Sequence, residues 1–191
     1  MAATGNLDVF KLEGRKALVT GAGRGIGRAC AQLLAAAGAE VLAVARSADE
    51  LESLAAAQAG IEPWVADVTD PAFLSAVAGM EQLDVLVNNV GTNNPQPFLE
   101  VEEAVLDQML SLNVRAAFLV AQAAAKVMAA QGSGSIIHMS SQMGHIGAAR
   151  RTVIKVPLAL GEIAVDLVHP AAAGAFQRAN FERGQDERCV L

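Results

Sequence analysis

Thr20-Gly21-Ala22-Gly23-Arg24-Gly25-Ile26-Gly27 is the stretch whose reading decides the fold. An apolar run, Ala17-Leu18-Val19, leads into it, and an alanine-rich helical pattern from Arg28 to Ala36 leads out. Strand, glycine turn and helix in that order form the layout that holds a dinucleotide pyrophosphate. Glycine lets the backbone turn sharply and come close to the phosphates, while the helix start offers free N–H groups and the positive end of its dipole. The glycines at 21, 25 and 27 follow T-G-x-x-x-G-x-G rather than the commoner G-x-G-x-x-G spacing.

Outward from this loop, strand and helix patterns alternate. Lys16 to Thr20 reads as a first strand buried on both faces, and a helix from Arg24 to Ala37 ends at Gly38, a natural stop. Residues 1 to 12 read as a loose arm. Glu40 to Ala45 is a second strand, and Ser47 with Glu50 has the form of a capping box opening a helix to about Ala59. Pro63 to Asp67 reads as a short third strand, and Asp70-Pro71 starts the next helix. Leu83 to Asn88 is a fourth strand, followed by the polar loop Gly91 to Pro97. A long helical pattern runs from Val101 to Ala130 with a break near Leu112, and Ser135 to Ser140 is a fifth strand. This alternation predicts an α/β fold, a Rossmann-like doubly wound parallel sheet, within a single domain over residues 1–191.

The glycine spacing and the motifs after it resemble the short-chain dehydrogenase/reductase family over residues 13–153. That resemblance implies a hydride transfer between a small alcohol and a carbonyl, with a nicotinamide dinucleotide as cofactor. Ligands of such sheets bind beyond the C-terminal strand ends. At the first end, Gly21, Arg24, Gly25, Ile26 and Gly27 are the cofactor-binding candidates. The second carries Ala45-Arg46 where NAD users carry an acid. An arginine pairs with a 2′-phosphate, so NADP(H) is favoured over NAD(H), and Arg24 points the same way by resemblance. The alternative is that both arginines are solvated surface charges. After the third strand, Asp67-Val68 resembles the family's adenine contact; Asp67 could equally cap local N–H groups. After the fourth, Asn88-Asn89-Val90-Gly91 is close to the family's N-N-A-G, which makes Asn89 and Gly91 candidates. Asn113 resembles the family's helix asparagine, which holds a water near the active-site lysine; an exposed helix position is the plainer reading. After the fifth strand, Ser140-Ser141 resembles the serine pair whose second member, here Ser141, polarises the substrate carbonyl. Asn113 and Ser141 are therefore the catalytic candidates.

Hydrophobic residues make up 53% of the 191 and charged residues 18%, enough for a buried core. The net charge of -6 argues against nucleic acid or an anionic membrane as partner. Cys30 and Cys189 make no disulfide framework, so a reducing, cytoplasmic setting is expected. The reading finds no secretory signal at the start and no run near the roughly 20 apolar residues that span a bilayer. No metal site is expected.

The resemblance stops at the reaction's acid. The family places a tyrosine thirteen residues after the second serine and a lysine four further on; here those positions are Ile154 and Leu158, and the chain has no tyrosine. Isoleucine has no proton to give. Lys155 faces another side of a helix. His138 and His145 are conceivable stand-ins that read more simply as a strand and a loop residue, and His169 has no assigned partner. From residue 154 the sixth-strand pattern and the loop that closes over the nicotinamide are missing, so the usual last two strands are expected to be missing or disrupted. Val156 to Val168 faintly resembles the segment before the family's last strand, as an internal deletion would leave it. His169 to Leu191 fits a shifted reading frame. Family dimers pair through the helices after strands 4 and 5, and the second is largely gone, which puts that mode of oligomerisation in question. Two readings follow: an oxidoreductase by descent with crippled chemistry, or a non-catalytic nucleotide-binding pseudoenzyme or fragment.

Overall fold

The computed structural model describes residues 11–140. Five strands form one sheet: β1 (Lys16–Thr20), β2 (Glu40–Ala45), β3 (Ile61–Val65), β4 (Val85–Asn88) and β5 (Ser135–His138). Their order is β3-β2-β1-β4-β5, and every pairing is parallel. The helices are α1 (Gly25–Ala36), α2 (Ala48–Ala57), α3 (Pro71–Ala78), α4 (Glu103–Leu110) and α5 (Ala117–Gln131). A π-helical stretch, Ser111–Ala116, joins α4 to α5. The fold is therefore the expected α/β doubly wound sheet, and the expectation that the usual last two strands are missing or disrupted falls on residues outside the described ones.

Alternate residues of the central strands feed two cores. Ala17, Val19, Val41, Ala43 and Val87 pack with Ala31, Ala35, Leu51 and Leu54 of α1 and α2. Leu18, Val44 and Leu86 pack on the other face with Phe73 and Val77 of α3 and with Val120, Ala124, Val127 and Met128 of α5. Each fully buried Leu contributes about 1.5–3 kcal/mol relative to exposure. The face of α1 that meets the sheet is Gly27, Ala31 and Ala35, spaced by four, so small residues let this helix lie close. The helices after β1 and β4 leave on opposite faces. A crevice therefore opens between the C-terminal ends of these strands, where such folds bind ligands.

Several boundaries differ from the sequence reading. β3 runs from Ile61 to Val65 rather than from Pro63 to Asp67. It pairs only with β2 among the described strands, so Pro63 sits within it opposite Ala43, where an outer strand tolerates a missing N–H. The expected loose arm ends before residue 12: the Leu12 N–H donates to Ala37 O at 2.7 Å, and its side chain packs against the core. The strand beginning at Leu83 narrows to Val85–Asn88, and the fifth stops at His138. Near Leu112, where a break was expected, the helix widens into the π-helical stretch Ser111–Ala116 without interruption. The continuous helical stretch Glu103–Gln131 is long and apolar enough to cross a bilayer by length and composition alone, although Asp107, Arg115 and Lys126 interrupt its apolar run. Its α5 portion buries Val120, Ala123, Ala124, Val127 and Met128 under the sheet, as a core helix does.

Candidate functional site

Thr20 is the hub on which the glycine loop meets the end of β4. It is fully buried, and its Oγ1 accepts from the N–H of Asn89 at 3.0 Å and of Val90 at 3.3 Å while lying 3.3 Å from Asn88 Oδ1. Asn89 Nδ2 donates to Thr20 O at 3.1 Å and Gly21 O at 3.3 Å, so its side chain is a strut under the loop. Asn88 Nδ2 donates to Ala117 O at 2.7 Å, tying β4 to α5. Asn89 thus ties the end of β4 to the glycine loop and Asn88 ties it to α5, and the hub role of Thr20 was missed. Its signal in the sequence was a hydroxyl ending an apolar strand.

Two glycines carry geometric demands. Gly21 turns at φ +66°, and a side-chain carbon there would meet Asn89 Nδ2 at 2.9 Å. At Gly27 the added carbon would strike Gly21 O, so only glycine lets α1 begin this close to the loop. Above them the site is open: a carbon added at Gly25 would meet nothing within 4 Å, and Arg24, Gly25 and Ile26 are exposed, Ile26 by 61%. The start of α1 carries no side-chain cap. By contrast Ser47 Oγ caps α2 by accepting from Glu50 N at 3.4 Å, and Asp70 Oδ1 caps α3 by accepting from Ala72 N at 2.8 Å. A positive helix end with uncapped donors, beside a tight glycine turn, fits a dinucleotide pyrophosphate.

The expected capping box is only half formed. Glu50 does not reach back to the Ser47 N–H; its side chain crosses instead to Gly23 and lies against the α-carbon there. An acid thus faces the region where the sequence showed only Arg24 and Arg46. Both arginines are exposed. Asp67 accepts from Thr69 Oγ1 at 2.7 Å and Thr69 N at 2.9 Å. These bonds, hydroxyl first, hold its carboxyl below the usual range against a burial penalty, and the nearby Arg46 charge acts the same way. Asp67 is therefore a turn-capping residue in this structure. Val68 is buried in the α3–α5 core, which leaves its main chain for any ligand contact.

Asn113 is placed by the π-helical stretch, a distortion frequent at functional sites. Its Oδ1 accepts from Thr92 N and its Nδ2 donates to Thr92 O, both at 2.8 Å. This two-bond clamp fixes the loop beyond Gly91, and a carbon added at Gly91 would touch Asn113 Oδ1 at 3.4 Å. The side chain is thus engaged with the loop rather than free on an exposed helix face. His138 is a strand residue whose Nδ1 lies 3.5 Å from Asn88 Nδ2, and burial lowers its pKa. Ser141, His145, Ile154, Lys155, Leu158 and His169 lie outside the described residues.

A parallel doubly wound sheet with an open glycine loop at its topological switch point defines a dinucleotide-binding protein of the Rossmann class. The chain matches the family model described as short chain dehydrogenase over residues 15–153, and it belongs to that family. The match ends at the residue where the motif series read from the sequence also stops. L-xylulose reductase of Mus musculus is 42% identical over 144 residues, covering 74% of this chain and 59% of the relative. Carbonyl reductase [NADPH] 2 of Sus scrofa is 42% identical over 139 residues, covering 72% of this chain and 57% of the relative. The chain thus spans a little under three fifths of the length of these curated relatives. Among solved structures, a putative NAD(P)-dependent gluconate 5-dehydrogenase from Beutenbergia cavernae, with bound NADP at low occupancy, superposes with a TM-score of 0.72 at 33% identity. That alignment covers 87% of this chain and 68% of the other.

Proposed function

We propose that this chain binds NADP(H) through the cofactor half of a short-chain dehydrogenase/reductase site and is an oxidoreductase by descent whose own turnover is absent or very slow. The observation that carries the binding is the uncapped start of α1 above Gly21, Gly25 and Gly27, flanked by the exposed Arg24 and Arg46. When bound, the nicotinamide supplies or takes up the hydride exchanged with an alcohol or carbonyl carbon. The chain's own residues bind and orient: the α1 N–H groups take the pyrophosphate, the arginines take a 2′-phosphate, and Asp67 with the Val68 main chain borders the adenine. Asn113 and Ser141 are the residues left on the substrate side. What fails is the proton at the substrate oxygen, because position 154 is isoleucine and position 158 leucine. The substrate class by descent is a small carbonyl or alcohol, in keeping with relatives named for reducing L-xylulose and carbonyls. A cytoplasmic setting and a single domain accompany this reading.

The test follows NADPH consumption with a panel of short ketones and ketoses, in the wild type and in Ile154→Tyr, in samples shown to bind the cofactor. The account expects no appreciable turnover in either, since the lysine and the nicotinamide-covering loop are missing as well. Rapid turnover by the wild type, or rescue by the single tyrosine, would overturn it.

A further inference from the structure

Glu50 is the third residue of α2, whose start is fixed by the Ser47 cap. A side-chain carbon on Gly23 would collide with Glu50 Oε2 and would stand 3.1 Å from Glu50 Cβ. The carboxylate therefore occupies the space a larger residue at 23 would fill, between the connection that carries Arg24 and the one that carries Arg46. Arg28 holds the arrangement together. Its Nη1 donates to Gly23 O at 3.3 Å and to Glu50 O at 3.1 Å, and its Nη2 donates to Ser53 Oγ at 3.3 Å. These bonds go to main-chain oxygens and a hydroxyl. Among the described residues no ion pair neutralises the Glu50 carboxylate. An acid in the first turn is favourable for α2 itself, but that function is served anywhere on the turn, as by Asp49, and does not require contact with the glycine loop.

We infer that Glu50 is a cofactor-selectivity residue. Its carboxylate repels a 2′-phosphate and can accept a hydrogen bond from a 2′-hydroxyl, so it narrows the NADP(H) preference that Arg24 and Arg46 create and lets the site take NADH as well. This rests on reading those arginines as the ribose end of the site. The sequence rule that looks for an acid directly after the second strand misses Glu50 because the acid arrives four residues after Arg46, on the facing turn of α2.

The test is a fluorescence titration of the full chain with NADPH and NADH, in the wild type, Glu50→Gln and Glu50→Ala, at low and high salt. Glutamine keeps the size of the side chain and removes its charge; alanine also removes its bulk. The NADPH-to-NADH affinity ratio should rise about five- to tenfold in both variants, mostly through tighter NADPH, and the gain should shrink as salt screens the charge. An unchanged ratio in both variants, with wild-type binding intact, overturns the Glu50 assignment and leaves the cofactor site standing. A wild type that binds neither nucleotide overturns both.

Discussion

At the N-terminal ends of β1 and β4, Asp84 gathers three hydrogen-bond donors. Arg15 Nη1 and Lys16 N donate to it at 2.8 and 2.9 Å, and Gln82 Nε2 also donates, while its side chain is 9% exposed. At the C-terminal ends, Thr20, Asn88 and Asn89 form an equally dense network, yet the donors at the start of α1 just beyond it are left uncapped. Both clusters bind the same strands together. The lower one closes on itself and serves stability; the upper one stiffens a loop whose outward groups stay available. Helix-start N–H groups without a side-chain cap are free to pair with an anion, which is what separates the upper end from the lower one.

The sharpest way to break this contrast is Gly27→Ala. The added carbon strikes Gly21 O, so α1 must shift. Overpacking of this kind costs about 1–3 kcal/mol, and nucleotide binding should be lost outright. Urea unfolding and an NADPH titration of the same sample check the two effects.

Asp84→Ala should cost a comparable 1–3 kcal/mol, roughly, by stranding its donors, yet leave NADPH affinity unchanged; a large loss of affinity would dissolve the distinction between the two ends. The pH dependence sharpens it. Burial alone would raise the Asp84 pKa, but its bonds to Lys16 N–H, Arg15 and Gln82 outweigh that and hold it below the usual carboxylate range. Its stabilisation is therefore fully present above the unfolded value of about 3.9 and is lost as pH falls through the lower folded value. Thermal melts should show the gap between wild type and Asp84→Asn closing over that acid window.

Arg46→Ala should weaken NADPH about tenfold, the scale of a charge-assisted hydrogen bond, while NADH affinity stays nearly level. Equal losses for both would show that Arg46 does not read the 2′ position. The smallest expected effect is Asn113→Ala, which removes both bonds to Thr92 and should cost about 1 kcal/mol. Faster amide hydrogen exchange at Thr92, with the sheet amides unchanged, would show that the clamp acts locally.

The centre of the fold was plain in the sequence because β1, β2 and α1 follow rules that depend on local composition alone. Ala17 to Val19 is apolar throughout, Glu40 to Ala45 matches the observed strand, and Gly38 stops α1 in the left-handed conformation expected of it. The outer strand was misplaced by two residues because Pro63 reads as a strand start unless the strand is known to lie outside in the sheet. Leu12 looked like part of an arm since its partner, Ala37, is distant in sequence. The site divides the same way. The glycines announce themselves by spacing, whereas the clamp of Asn113 on Thr92, the reach of Glu50 to Gly23 and the closure around Asp84 depend on contacts between segments that no local pattern encodes.

The most direct measurement of the central claim is a fluorescence titration of the purified chain with NADPH and, in parallel, NADH. Saturable binding of both, with NADPH the tighter, is the result this account predicts. Absence of saturable binding to either, or a clear preference for NADH, would contradict it.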